Sequence, residues 1–109
     1  MLLPLDSITA TRYYSYVIRS FGTAETERLW KRQRVAKLGA DLQRAAYRKL
    51  LILDAAEVLQ DLRVPPGNRL ELLRGDRAGQ HSVRVNDQWR LCFTWTDTGP
   101  INVELVDYH

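Results

Sequence analysis

Arginine is the residue whose number and placement point most directly to chemistry in this sequence. Thirteen of the sixteen basic residues are arginines, and six of these fall within residues 63–90. Residues 28–49 carry eight basic residues against one acidic residue, Asp41. A guanidinium group binds phosphate oxygens in a bidentate manner and stacks on nucleobases. The pattern favours a nucleic-acid partner, although a solvated helix face in a protein from a GC-rich genome explains it equally well.

Length, cysteine content and hydropathy exclude several classes of protein. With 109 residues the chain has room for one domain. Its single cysteine, Cys92, has no partner for an internal disulfide and is predicted to be a small buried residue, not a nucleophile. No apolar run approaches the roughly 20 residues of a membrane span, and residues 1–16 lack the pattern of a secretory signal. We expect a cytoplasmic protein without a metal, a cofactor or a membrane partner.

Two helices are predicted in the first half of the chain. Thr23 can accept a hydrogen bond at the start of a first helix that runs to about Arg32. Apolar residues recur at helical spacing over residues 40–55, which predicts a longer second helix. Arg44 and Arg48 then lie one turn apart on the outer face of that second helix.

The rest of the chain has the alternation that is typical of strands. Strands are predicted over residues 16–21, 70–73, 81–85, 88–96 and 101–107. Asn86 and Asp87 are predicted to form a tight hairpin turn, since both tolerate positive φ angles. The order of one strand, two helices and then an antiparallel β-meander is that of an α+β domain with the helices packed on one face of the sheet.

Alternation along the long strand assigns its residues to two faces. Four apolar residues share the face that the helices should cover: Trp89, Leu91, Phe93 and Trp95. Arg84 and Arg90 then lie on the opposite face, which no helix is predicted to cover. A basic sheet face of this kind could receive a strand of nucleic acid.

Three blocks of the sequence resemble a known family. They are the IRSF strand at residues 18–21, the LELLRGDRAGQHSVRV run at residues 70–85 followed by Trp89-Arg90-Leu91, and the DYH triplet at residues 107–109. Together they resemble the HigB toxins of the RelE/ParE superfamily, also described as plasmid-maintenance killer proteins. The resemblance covers residues 17–109 and implies a RelE-like fold, with residues 1–16 as an extension that is either natural or vector-derived.

The resemblance also implies a function and partners. A HigB toxin belongs to a type II toxin-antitoxin system, enters the A site of the 70S ribosome and cuts the translated mRNA. It is neutralised by HigA, a helix-turn-helix antitoxin, and the pair binds operator DNA to repress its own operon. The basic sheet face and the helix pair are both open as the surface that the antitoxin covers.

RNA cleavage without a metal needs a base for the attacking 2′-OH, cations for the phosphorane, and an acid for the departing 5′-oxygen. Arg90 is the candidate for stabilising that charge; alternatively, it is a surface arginine that pairs with Glu104 on the adjacent strand. Arg74 aligns with a basic position that the family uses at its site, so it is a candidate for contacts with RNA or the ribosome. Four further arginines are candidates for the same contacts: Arg77, Arg84, Arg44 and Arg48.

The remaining catalytic candidates are the C-terminal triplet that matches the family and one position, Glu71, where this sequence differs from the family pattern. Asp107 could accept a proton or orient a neighbour, Tyr108 could stack on a base or relay a proton, and His109 titrates near neutrality. Many relatives have a histidine where this chain has Glu71, so Glu71 is a candidate base. His81 is a second histidine that could replace the missing one.

Two other functions fit the same sequence features. A ParE-like toxin of the same superfamily would block gyrase by binding alone, since fold does not fix function. Alternatively, Glu71 could mark a weakened toxin that acts mainly in control of its own operon.

Overall fold

The computed structural model describes residues 17–108, so the predictions for residues 1–16 and for His109 lie outside the described residues. The helices are α1 (Ala24–Trp30) and α2 (Ala40–Ala55). The strands are β1 (Glu71–Leu72), β2 (His81–Arg84), β3 (Trp89–Thr96) and β4 (Gly99–Asp107). Adjacent strands are antiparallel in the order β1-β2-β3-β4, which confirms the predicted meander after two helices.

Both helices form where the sequence predicts them. The Thr23 hydroxyl accepts a hydrogen bond from the Thr26 amide at 3.2 Å, which caps α1. Helix α2 has the predicted bounds, and its apolar stripe at Ala46, Leu50 and Leu53 is fully buried. These residues belong to one hydrophobic core with Leu91 and Phe93 of β3 and with Val103 of β4. The helices therefore cover the sheet face that the alternation predicted.

The predicted N-terminal strand is wrong in its extent. Within the described part of the chain, this segment makes one isolated parallel bridge, between Phe21 and Val103 of β4. The amides of Val17 and Ile18 donate instead to the carboxylate of Asp54 on α2, at 2.9 and 3.0 Å. Three main-chain hydrogen bonds, from the amides of Arg19, Gly22 and Val103, still join the segment to β4. The ladder is interrupted at Asn102, which has a φ of 54° and whose amide donates to the Ser20 hydroxyl at 2.9 Å.

The link between β2 and β3 also differs from the prediction. Neither Asn86 nor Asp87 is among the residues with positive φ. The Asn86 side-chain oxygen accepts hydrogen bonds from the amides of Gln88 and Trp89 at 2.9 and 2.8 Å. This Asx arrangement closes the connection through a side chain, so the left-handed backbone of a two-residue hairpin is unnecessary.

The opposite face of the sheet is covered by long charged side chains and is not bare. Cys92 and Ser82, which point to that face, are completely buried. The Cys92 thiol is close enough to feel the charges of four residues, which form two ion pairs: Arg77 with Glu104, and Arg90 with Glu71. Long side chains can bury apolar surface with their stems and keep their charged ends near solvent. Among residues 17–108, no α-helix packs on this face, which is therefore called the charged layer.

Candidate functional site

Arg90 is the centre of the charged layer. Its side chain is only 11% exposed. Nη2 donates to the Arg69 carbonyl at 2.6 Å, and Nη1 lies 3.5 Å from Oε1 of Glu71. The guanidinium carbon is 5.3 Å from the centre of the Tyr108 ring, within cation–π range. Arg90 is therefore fixed from three sides by backbone, carboxylate and aromatic ring.

The alternative prediction, that Arg90 pairs with Glu104, is wrong. Glu104 pairs with Arg77, whose Nη1 is 3.4 Å from Oε1 of Glu104. The buried Nε of Arg90 has no hydrogen-bond partner among the residues that the structure describes. An unpaired buried donor is costly unless a ligand or water satisfies it.

Strand register brings a second arginine to the same place. Arg84 of β2 lies directly opposite Arg90 of β3, so the two side chains share a face. Two adjacent guanidinium groups repel each other, and Arg84 forms an ion pair with Asp87 that offsets this repulsion. Because Asp87 is almost fully exposed, an anion in the site can compete with it for Arg84.

These residues line a cavity of about 280 Å³, called the Arg90 cavity. Its walls carry three arginines, one acidic side chain and one aromatic ring. Such a lining can bind a phosphate and stack a base next to it. The lining residues are Arg69, Arg84, Asn86, Asp87, Arg90 and Tyr108.

The loop that presents Arg69 is held by a buried asparagine. Asn68 is completely buried, and its Nδ2 donates to the carbonyls of Leu62 and Val64 at 3.1 and 3.3 Å. Arg69 follows in the left-handed conformation, with φ of 47°, and its carbonyl faces Arg90. Neither residue was predicted as part of the site, because nothing in a proline-rich loop sequence marks which main-chain oxygen will meet a distant side chain.

Lys49 was also missed as a neighbour of the site. Its Nζ donates to the Asn68 side-chain oxygen at 2.6 Å, which links α2 to the loop. Burial lowers the pKa of Lys49, and the positive charges of Arg48 and Arg84 lower it further. The signal in the sequence was its position on the apolar stripe of α2, where a lysine must find a polar partner.

Two candidate residues are turned away from Arg90. Asp107 lies opposite Trp89 in the register of β3 and β4, one residue from the position that faces Arg90. Its carboxylate accepts a hydrogen bond from Gln88 Nε2 at 3.1 Å. His81 is paired with Phe93, and the two rings stack with centroids 6.3 Å apart. His81 is therefore on the other face of the sheet from Arg90, so it does not lie beside Arg90 as Glu71 does.

Burial shapes the chemistry of His81 and Cys92. Burial lowers the pKa of His81, and the charge of Arg63 adds to this effect. Burial also raises the pKa of the Cys92 thiol, which keeps it protonated and unreactive at neutral pH. Across residues 17–108, no group of three or more His, Cys, Asp or Glu side chains is placed to hold a metal ion.

The other predicted RNA-binding arginines lie outside the Arg90 cavity. Arg74 is exposed at the start of a 3₁₀ turn, Gly75–Arg77. Arg77 is half-buried in its pair with Glu104. Arg44 and Arg48 line a separate cavity between the two helices, the interhelical cavity, which shares no lining residue with the Arg90 cavity.

Within the described residues, no helix is long and apolar enough to cross a membrane.

Known proteins resemble this chain in sequence and in fold. Residues 19–109 match the family described as "RelE-like toxin of type II toxin-antitoxin system HigB". Toxin HigB-1 of Vibrio cholerae is 48% identical over 75 residues, which are 69% of this chain and 77% of the relative. An uncharacterized protein of Haemophilus influenzae is 36% identical over 74 residues, which are 68% of this chain and 72% of that protein.

Among solved structures, a chain of the YoeB-YefM complex from Staphylococcus aureus has a similar fold. The TM-score is 0.55, the sequence identity is 16%, and the match covers 84% of this chain and 97% of that chain. At this identity the likeness concerns the fold alone.

Proposed function

Because the chain belongs to the HigB-like family of RelE-like toxins from type II toxin-antitoxin systems, we propose that it is a ribosome-dependent endoribonuclease that cuts translated mRNA in the A site. One observation carries the proposal. The Arg90 guanidinium is fixed next to Arg84 and the Tyr108 ring, in a cavity large enough for a phosphate and part of a base. An oriented cation of this kind stabilises a phosphorane better than a mobile surface arginine does, because it needs no reorganisation.

In the proposed reaction the mRNA supplies its own nucleophile. The 2′-OH loses its proton to a base and attacks the adjacent phosphorus, the bond from phosphorus to the 5′-oxygen breaks, and that oxygen takes up a proton. A 2′,3′-cyclic phosphate and a 5′-OH are the products. Negative charge grows on the non-bridging oxygens, where Arg90 and Arg84 stabilise it.

Each remaining candidate has a role in this scheme. Glu71 is the proposed base, supported by its position beside Arg90 on the same sheet face. Tyr108 stacks on the base next to the cleaved bond, and Tyr108 or His109 protonates the leaving oxygen. Asp107 anchors the end of β4 through Gln88. Arg74 and Arg77 are the proposed contacts with the ribosome or the RNA backbone.

The proposed partner is a HigA-type helix-turn-helix antitoxin that neutralises the toxin and, with it, binds operator DNA. The family description, which names a type II toxin-antitoxin system, supports a protein antitoxin. The arginine-rich composition supports a partner surface that is acidic.

Primer extension on an mRNA translated in a purified system tests the proposal. We expect new 5′ ends with ribosomes and none on the same RNA without them. The double variant Arg90→Ala/Tyr108→Ala should lose about a thousandfold or more in cleavage rate and should no longer arrest growth. Arg28→Ala, at an exposed arginine of α1, is the matched control and should cut like the wild type.

Three outcomes would contradict the proposal. Full activity of the double variant, with a native circular dichroism spectrum, would remove Arg90 and Tyr108 from the site. Cuts on naked RNA would indicate a free ribonuclease. Absence of cuts, together with inhibition of gyrase supercoiling by stoichiometric protein, would indicate a ParE-like toxin.

A further inference from the structure

The interhelical cavity, at about 420 Å³, is larger than the Arg90 cavity. Four arginines line it, and none of its lining residues is acidic. Leu29, which is buried, and Tyr47 contribute apolar surface to its wall. The lining residues are Leu29, Arg32, Gln33, Arg34, Gln43, Arg44, Tyr47 and Arg48.

The loop between the helices is fixed in a shape that holds the cavity open. Gln43 of α2 donates to the carbonyls of Val35 and Leu38 at 3.1 and 2.7 Å and accepts from the Val35 amide at 3.2 Å. A single side chain thus ties the loop to α2 at two places. Because these bonds are made within the chain, the cavity is formed before any ligand arrives.

Arg32 is placed by a backbone conformation that a non-glycine residue rarely adopts. Its φ is 63°, in the left-handed region. This conformation turns the side chain back over α2, where the guanidinium carbon lies 4.8 Å from the centre of the Tyr47 ring. The same conformation ends α1, because the Gln33 amide donates to the Arg28 carbonyl at 2.8 Å and the Arg32 amide donates to the Leu29 carbonyl at 3.0 Å.

The charges of the cavity are poorly balanced from within the chain. Arg44 pairs with Asp41, whose side chain is almost fully exposed. Arg34 and Arg48 are exposed residues at the same rim. Gathering four like charges around an apolar wall costs free energy that an anionic ligand would return.

We propose that the interhelical cavity binds an acidic segment of the antitoxin, with an apolar side chain against Tyr47 and carboxylates paired with the arginine rim. The inference rests on the proposed function in taking the partner to be an antitoxin. Both cavities have arginines and a tyrosine, but Leu29 lines this one and no aliphatic residue lines the Arg90 cavity, which favours an apolar peptide side chain here over a nucleobase. Carboxylates suit the bidentate geometry of arginine.

This site is separate from the Arg90 cavity, so the antitoxin can be held without filling the site of RNA cleavage. Arg44 and Arg48 then serve the partner protein, and the earlier prediction that they contact RNA becomes the competing outcome of the test.

Fluorescence anisotropy with two labelled probes tests the inference. One probe is a short peptide of alternating glutamate and leucine, and the other is oligouridine. The peptide should bind the wild type, and Arg34→Glu/Arg48→Glu should weaken binding by about tenfold or more, since two attractions become repulsions. Arg28→Glu changes the charge of α1 outside the cavity and should change the affinity little.

A second variant tests the apolar part of the site. Tyr47→Ser keeps every charge but removes the ring that Arg32 contacts, so it should weaken binding of the leucine-containing peptide more than binding of oligoglutamate. Both variants keep the buried residues of α2, and circular dichroism checks their fold.

Oligouridine that binds the cavity in place of the peptide would overturn the inference in favour of RNA. Equal loss in Arg28→Glu would overturn it in favour of general charge attraction, and failure of the wild type to bind the peptide would overturn it outright. Peptide binding needs neither ribosomes nor catalysis. A protein that binds the peptide as described but cuts no mRNA would therefore contradict the proposed nuclease and support this site.

Discussion

Glu71 and Arg90 form an ion pair across the charged layer, with Oε1 of Glu71 3.5 Å from Nη1 of Arg90, although β2 separates their strands in the sheet. The Glu71 side chain is half exposed, whereas that of Arg90 is nearly buried. The carboxylate therefore reaches solvent and any bound RNA, while the guanidinium stays fixed. This arrangement can orient Arg90 and can also accept a proton from a 2′-OH beside it.

We expect Glu71→Gln to lower the rate of mRNA cleavage by about a hundredfold or more, because the amide keeps the shape and loses the basic oxygen. Glu71→His should restore part of the rate, since a histidine is the residue that the resemblance implies at this position. Single-turnover cleavage on translating ribosomes measures both, with exposed Glu57→Gln as the control. Wild-type rates in Glu71→Gln would leave Glu71 as a positioning residue for Arg90.

Asn68→Ala should destabilise the protein by about 2–4 kcal/mol, because it removes the partners of the Leu62 and Val64 carbonyls and of Lys49. Urea unfolding measures this loss. Gln60→Ala, at an exposed residue that accepts a hydrogen bond from Arg63, should change stability by no more than about 0.5 kcal/mol. A loss for Asn68→Ala as small as that of the control would show that the loop does not depend on its buried amide.

Cys92 should resist alkylation by iodoacetamide in the native protein and react fully in denaturant. The thiol is completely buried, and burial raises its pKa, so the reactive thiolate is both scarce and inaccessible. Mass spectrometry of the alkylated protein gives the extent of reaction. Rapid labelling without denaturant would mean that the charged layer opens often enough to expose β3.

Stability should fall on acidification in a way that depends on His81. Its pKa in the folded protein lies below the ordinary value of 6.5, so the unfolded chain binds the proton more tightly. The stabilisation from neutral His81 is complete above pH 6.5 and is lost as the pH falls from there through the folded pKa. His81→Phe keeps the ring packed on Phe93 and removes this titration.

Thermal unfolding at pH values from about 8 to about 5.5 measures the effect. The Tm of the wild type should drop more steeply than that of His81→Phe over the acidic half of this range. Parallel Tm curves for the two proteins would contradict the lowered pKa of His81.

The sequence predicts most of the fold, because hydrophobic periodicity and capping are local. Helix α2 has the predicted bounds, and Leu91 and Phe93 are buried against the helices as the alternation indicates. The N-terminal strand and the hairpin turn were predicted wrongly. In both places a side chain takes over backbone hydrogen bonds, Asp54 in one case and Asn86 in the other, and strand propensity contains no information about such partners.

The candidate site was predicted in part. Arg84 and Arg90 share a face as alternation requires, and the blocks that resemble the toxin family mark Arg90 and Tyr108, which do contact each other. Arg69, Asn68 and Lys49 were missed because they meet through a loop conformation. The relation of Glu71 to Arg90 was also hidden, since it depends on the order of strands in the sheet.

By itself the sequence determined the two helices, the meander, the family and the excess of arginine. Hydrophobic periodicity predicts the helices and strands, motifs indicate the family, and composition gives the arginine content. Only the tertiary structure divided the arginines between two cavities, turned Asp107 and His81 away from Arg90, and brought the Arg69 carbonyl to its guanidinium. The physical reason is that charge acts through distance and orientation. Strand register and the packing of loops set the distances between charged groups and their orientation. The residues concerned are far apart in the sequence, so local patterns do not reveal these contacts.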